Sequence, residues 1–356
     1  MLKRLRLKNF TVFADADLQF APGLTVVVGE NGTGKSHVLK LAYSLLAVSA
    51  GSTRREREYR PAVPTVGYLQ TAIADKLRGV FRPDALGRLA TRKPRGLARC
   101  EVGALFRPGT ASMEFSFSTR STDGVQIERL PTVWLDTPPV FIPTRELLTL
   151  AAKLVPLFET TDLPFEETWR DTSVLLSAPA VRGRRLQEVK ELLDPLEDVL
   201  GGSVEQDKAG DFYVAMKSGN MEAALVSEGQ RKLAMLVRLL ATGSLGREGC
   251  LLWDEPEANL NAVVVRRIAR TILQLVAAGV QVVIATHSLF LMRELDILHK
   301  SQGSGFGGVS VRFIGLPPAG GKGTVLQSDS ITEIGPISSL DEELHQSERY
   351  LSSEVG

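Results

Sequence analysis

The period of the apolar positions changes several times along the chain, and each change predicts an element. Met1-Leu2-Lys3-Arg4-Leu5-Arg6-Leu7 alternates as a half-buried strand does. Leu24-Thr25-Val26-Val27-Val28 is a continuous apolar run ending at Gly29, which reads as a buried strand. After Ser36 the spacing turns helical, with Val38, Leu39, Leu41, Ala42, Leu45 and Leu46 recurring. A helix is expected around Tyr68 to Phe81. From Glu101 to Leu135 short alternating segments, such as Met113-Glu114-Phe115-Ser116-Phe117-Ser118, are separated by turn signals at Pro108-Gly109 and Asp123-Gly124. That pattern predicts antiparallel strands. Val140-Phe141-Ile142-Pro143 reads as one more strand entering a helical stretch from about Glu146 to Leu200, with further strands around Val204 and Phe212-Tyr213-Val214. Apolar strands recur at Leu251-Leu252-Trp253 and Val282-Val283-Ile284. No internal repeat, low-complexity tract or long heptad array interrupts this order.

The first strand-to-helix junction carries chemistry. Gly29-Glu30-Asn31-Gly32-Thr33-Gly34-Lys35-Ser36 has the composition of a phosphate-binding loop, between a strand and a helix as such a loop requires. Its glycines let backbone N–H groups curl around phosphate oxygens, and the helix N-terminus adds partial positive charge. Lys35 is expected to reach the β- and γ-phosphates and Ser36 to ligate Mg²⁺. The prediction is a chain that binds a nucleoside triphosphate.

Two later strand ends extend that prediction. Leu251-Leu252-Trp253 delivers Asp254 and Glu255; with a phosphate loop upstream, Asp254 is expected at Mg²⁺ and Glu255 at the attacking water. Val282-Val283-Ile284 delivers Thr286-His287-Ser288, and a parallel sheet would bring His287 to the nucleotide edge, where it could meet the γ-phosphate. A lone His at a strand end is more often structural. Between these blocks, Ser227-Glu228-Gly229-Gln230 precedes Leu233, Met235, Leu236, Leu239 and Leu240 at helical spacing. Ser227 suits an N-cap, and the same helix start could present N–H groups to an anion.

Together these residues resemble the ABC-type ATPase head of the RecF, SMC and OLD-like branch, the kind of AAA family ATPase found in bacterial antiphage defence. Ser227-Glu228-Gly229-Gln230 resembles that family's signature motif, with Glu228 where many members have Gly. His287 stands at the switch-histidine position, and Glu257-Ala258-Asn259-Leu260-Asn261 resembles the D-loop. The resemblance implies an α/β fold: a P-loop ATPase head with a mixed sheet, an antiparallel β subdomain and a helical insertion. It also implies a head-to-tail homodimer, or higher homo-oligomer, with ATP and Mg²⁺ sandwiched between subunits. Lys35 and Asp254 of one chain would then face Ser227, Gly229 and Gln230 of the other, and Lys35, Glu255 and His287 would carry hydrolysis. On this reading the chain is one domain, running 1–50 Walker A lobe, 51–100 basic insertion, 101–143 antiparallel β subdomain and 144–220 helical subdomain. A 221–330 lobe with the signature, Walker B and switch motifs follows, then a 331–356 acidic tail. The family's glutamine loop is not evident. Gln70 has a suitable distance from the phosphate loop but sits in an expected helix, and Pro143-Thr144-Arg145-Glu146 suits the topology but has no Gln.

Composition adds limits. A chain of 356 residues with 44% apolar and 23% charged residues is that of a soluble globular protein of one large or two ordinary domains. No signal peptide or membrane span is expected, and Cys100 and Cys250 read as reduced structural thiols of a cytoplasmic protein. Net charge is only +1, but from Arg54 to Arg107 there are 13 basic and five acidic residues, and from Asp329 to Gly356 seven acids and one Arg. Three functions remain open. One is a defence-type ATPase acting on a separate effector, such as a nuclease. Another is a RecF-like repair ATPase that binds nucleic acid through Arg54–Arg107, Arg92, Lys93, Arg95 and Arg99 included. The third is a transporter subunit, with Phe13 available to stack on adenine. Gly51 to Val226 is too short for SMC-type coiled-coil arms.

Overall fold

The alternating start of the chain is β1 (Leu2–Phe10), followed by β2 (Phe13–Gln19), β3 (Leu24–Val28) and the long helix α1 (Lys35–Ala50). The computed structural model describes residues 1–51, 54–91, 97–301, 305–318, 324–335 and 338–355. Helices α2 (Arg54–Tyr59) and α3 (Val66–Phe81) lead to β4 (Arg99–Phe106), β5 (Met113–Ser118), β6 (Gln126–Arg129) and β7 (Pro139–Ile142). The helical stretch divides into α4 (Ala151–Thr160), α5 (Glu167–Ser177) and α6 (Arg184–Leu200), and β8 (Gly202–Gln206), β9 (Phe212–Met216) and β10 (Gly219–Glu222) form a small antiparallel sheet. An alternation follows: α7 (Glu228–Ala241), β11 (Cys250–Asp254), α8 (Ala262–Ala277), β12 (Gln281–Thr286) and α9 (Leu289–Lys300). After it come β13 (Val311–Gly315), β14 (Leu326–Ser328) and α10 (Ser338–Val355).

The central sheet has the order β14-β13-β3-β12-β11-β7, parallel except for β14. Strands β3, β7, β11 and β12 are buried at every position, which is why they read as unbroken apolar runs. Successive side chains point to opposite faces. Val27, Phe141, Leu252 and Val283 join a core shared with α1, α3 and the antiparallel sheet, while Val26, Ile142, Trp253 and Ile284 join one with α7, α8 and α9. The second sheet, β2-β1-β4-β5-β6, is antiparallel throughout. In β4 it turns Cys100, Val102, Ala104 and Phe106 inward and Arg99 and Glu101 to solvent. Helix α1 lies between the two sheets, so its burial extends well beyond one stripe. Both cysteines are buried and free, and burial pushes the Cys250 thiol up to about 12. Among the described residues, no helix is long and apolar enough to cross a membrane.

Strands β2, β10, β13 and β14 go beyond the elements expected from the pattern. In β2 the buried Phe13, Ala16 and Leu18 alternate among two aspartates, and β10 is an edge strand exposed at every position, so neither carries a strong apolar signal.

Candidate functional site

Strand register sets the site. β12 lies between β3 and β11, with Thr286 opposite Val28 and Ala285 opposite Asp254. Three parallel strands therefore end level with one another, bringing the loop after Val28, the Asp254-Glu255 pair and His287 to one carboxyl edge, where open parallel sheets bind ligands. The sequence order leaves open that β12 is the middle strand.

In the phosphate loop, Gly34 has φ 98, and a Cβ there would sit 2.6 Å from Val12 Cγ2 and 2.7 Å from Phe13 Cζ. Only glycine fits both the left-handed backbone and the close approach. The Phe13 ring is thus packed beneath the loop and buried, with no free face for an adenine. Lys35 Nζ donates to the carbonyls of Gly29 (2.8 Å) and Glu30 (2.9 Å), and Thr33 Oγ1 donates to Glu30 O. Burial lowers the Lys35 pKa, opposed by the charges of Glu255, Asp254, Glu257 and Glu30. Asn31 is exposed and Gly32 has φ 81.

Asp254 is buried, and desolvation raises its pKa to about 6, opposed by the nearby Ser36 hydroxyl. Its Oδ1 is buried without a hydrogen-bond partner. A carboxylate with an orphaned oxygen beside a serine hydroxyl is a donor set that suits Mg²⁺. Glu255 has φ 46, a left-handed conformation unusual outside glycine and asparagine, and its N–H donates to Ala285 O at 2.9 Å. His287 Nδ1 lies 3.1 Å from Glu255 Oε1 and 3.9 Å from Glu257 Oε1. The hydrogen bond to Glu255 is the main cause of a raised His287 pKa and holds the Glu255 carboxyl below the usual range.

Ser227 stands at the N-cap of α7 but caps no N–H; its hydroxyl donates to Gln230 Oε1 at 3.0 Å. The first-turn N–H groups of α7 thus have no side-chain partner from the cap. The loop from Glu255 to Asn261 fastens this helix: Asn259 Nδ2 donates to Glu228 Oε1 (3.2 Å), and buried Lys232 donates to Ala258 O (2.7 Å). Gly229 packs so closely that a Cβ would meet Val264 and Leu260 at 3.0 and 3.1 Å. Arg231 donates to Val226 O (2.7 Å), just before Ser227, and is ion-paired with the buried Glu146 beyond β7 (2.9 Å). Glu146 occupies the strand-end segment expected for a glutamine loop and faces Arg231, while Gln70 lies on α3. No described hydrogen bond or ion pair joins Ser227 or Gln230 to the phosphate loop.

The expected basic insertion is largely self-satisfied where it is described. Lys76 is buried against Asp171 and Glu167, Arg60 stacks over Trp134, and Arg82, Arg88 and Arg99 pair with Asp162, Asp84 and Glu128. Arg92, Lys93 and Arg95 lie outside the described residues.

Residues 118–293 match the family model described as "AAA domain, putative AbiEii toxin, Type IV TA system", and residues 4–49 match a second AAA domain model. The DNA replication and repair protein RecF of Desulfitobacterium hafniense is 42% identical over 57 residues, 16% of each chain. The DNA repair protein RecN of Xylella fastidiosa is 42% identical over 53 residues, 15% of this chain and 10% of that one. The chain thus spans about a sixth or less of the length of these relatives. Among solved structures, an SMC head bound to the C-winged helix domain of ScpA superposes with a TM-score of 0.56 at 15% identity, covering 93% of this chain and 98% of that one.

Proposed function

From the premise that this chain is an ABC-type ATPase head of the RecF and SMC branch, we propose that it is an ATP-driven dimerisation switch controlling a separate effector. The observation that carries this reading is the level ending of β3, β12 and β11, which gathers the phosphate loop, His287 and Asp254-Glu255. In it, the N–H groups of Gly29–Ser36 and the Lys35 ammonium bind the phosphates. Ser36 and Asp254 would hold Mg²⁺, which when bound would supply positive charge beside the phosphates. Glu255 accepts a proton from, and orients, the attacking water. His287 gives Nδ1–H to Glu255 and turns Nε2 toward the γ-phosphate. The uncapped start of α7, with Ser227, Gly229 and Gln230, is the anion-binding surface offered to the second subunit's nucleotide.

Two facts favour a defence-type role. The family model that matches residues 118–293 carries the name of a toxin–antitoxin component. The longest described helix between α1 and α7 is α6, at 17 residues, so the described residues there hold no long tethering arm. A second reading, a RecF-like DNA-repair ATPase, draws on the 57-residue similarity to RecF. The ion pairing of the described basic side chains weighs against a phosphate-binding stripe and makes it the second choice.

The nucleotide assignment is tested by Lys35→Ala. Losing a charge-assisted contact with the phosphates should weaken ATP binding tenfold or more, on the order of 1.5–3 kcal/mol, measured by titration calorimetry. Unchanged affinity would remove the foundation of the reading.

A further inference from the structure

Glu257 is a third carboxylate at this edge, and nothing in the proposed reaction uses it. It is buried, and its Oε1 accepts from Thr286 Oγ1 at 2.5 Å. Thr286 Oγ1 in turn accepts the N–H of Ser288 (2.9 Å), and Ser288 Oγ caps α9 by accepting from Leu291 N (3.2 Å). One side chain thus fixes the residues on both sides of His287. The same Oε1 lies 3.9 Å from His287 Nδ1, so the ring edge carrying Nδ1 is bracketed by Glu255 and Glu257. Glu257 Oε2 is buried and has no hydrogen-bond partner. Leaving a buried polar oxygen unsatisfied costs about 1–3 kcal/mol, a cost that packing alone does not explain. Glutamine would retain the shape but not the charge.

We infer that Glu257 is a positioning residue for His287, locking the Thr286–Ser288 turn and holding Nδ1 toward the two carboxylates so that Nε2 faces the nucleotide. The inference rests on the role proposed above for His287. In the wild type the turn is fixed before nucleotide arrives, and the imidazole loses no orientation entropy when it meets a phosphate oxygen. The Lys35 charge opposes a positive charge on the His287 ring, and the Glu257 carboxylate offsets it. Glu257 touches neither water nor phosphate in this account. It acts through His287, and its removal should leave ATP affinity intact.

The test is steady-state ATP hydrolysis by the full chain carrying Glu257→Gln, His287→Ala and both, with thermal melts to verify folding. Glu257→Gln keeps an oxygen that can accept from Thr286 but removes the charge facing His287 Nδ1, and should lower kcat about tenfold, with KM for ATP within about twofold. Glu257→Asp should recover part of that loss. In the His287→Ala background the Glu257 substitution should cost nothing further. Should Glu257→Gln fail to fold, Thr286→Val removes the hydrogen bond by which Glu257 fixes the turn, and kcat should fall likewise with KM for ATP little changed. A wild-type kcat in Glu257→Gln, or an equal loss with and without His287, overturns the inference while leaving the proposed function standing. A wild-type kcat in His287→Ala alone overturns both.

Discussion

Glu255 sits in left-handed backbone, with its N–H tied to Ala285 and its carboxylate to His287. Such a conformation costs of order 1–3 kcal/mol and persists where the surroundings hold it, commonly at functional sites. Its pairing with His287 has a consequence in pH. The hydrogen bond to Glu255 and the charges of Glu255 and Glu257 raise the His287 pKa above 6.5, against burial and Lys35. A raised histidine is charged below that pKa and loses its proton as pH climbs through it. If the imidazolium donates to the γ-phosphate, kcat should hold below the raised pKa and fall on the alkaline side at a midpoint above 6.5. That limb should vanish in His287→Gln; an unchanged limb would show that another group titrates. Gly29 to Ser36 were legible because the whole motif is consecutive in sequence. The link from Glu257 to Thr286 was not, because 29 residues separate them and only the β11–β12 register joins them. Phe13 could serve an adenine on sequence alone, but its packing against Gly34 depends on how the β1–β2 turn meets the loop.

Helix α5 touches both halves of the site. At its start, Glu166 and Asp171 hold Lys40 and Tyr43 of α1, while Arg238 of α7 donates to the carbonyls of Leu176 and Ala178 at its end. The centre of this joint is a buried charge cluster, with Lys76 of α3 2.7 Å from Asp171 and 2.9 Å from Glu167, and Arg170 2.7 Å from Asp171. Burial alone would raise the Asp171 pKa, but Lys76 and Arg170 hold it below the usual carboxylate range. Removing one partner from such a cluster strands the others. Asp171→Ala should cost about 3–5 kcal/mol in urea unfolding, and adding Lys76→Met should recover part of it. A loss under 1 kcal/mol would mean that water reaches the cluster. The helical period predicted these helices, but no local pattern marked Lys76, counted in a basic stretch, as an interior residue. Long-range ion pairs leave no local pattern. Strands show the same divide: the fully buried β3, β11 and β12 were plain, whereas the exposed edge strand β10 was silent.

For the whole molecule, the arrangement divides labour between two faces. The carboxyl edge of the parallel sheet holds nucleotide-binding chemistry, and α7, fastened by Lys232 and Asn259 to the loop after Glu255, holds an uncapped helix start. If Ser227 serves the nucleotide of a second subunit, hydrolysis-deficient chains should accumulate as dimers. The direct measurement is the mass of Glu255→Gln by size-exclusion chromatography with light scattering. Without nucleotide it should elute at the 38.7 kDa of one chain. With ATP and Mg²⁺ it should double, and adding Ser227→Arg should return it to the monomer while ATP binding persists. A Glu255→Gln chain that stays at one-chain mass with saturating ATP would contradict the switch.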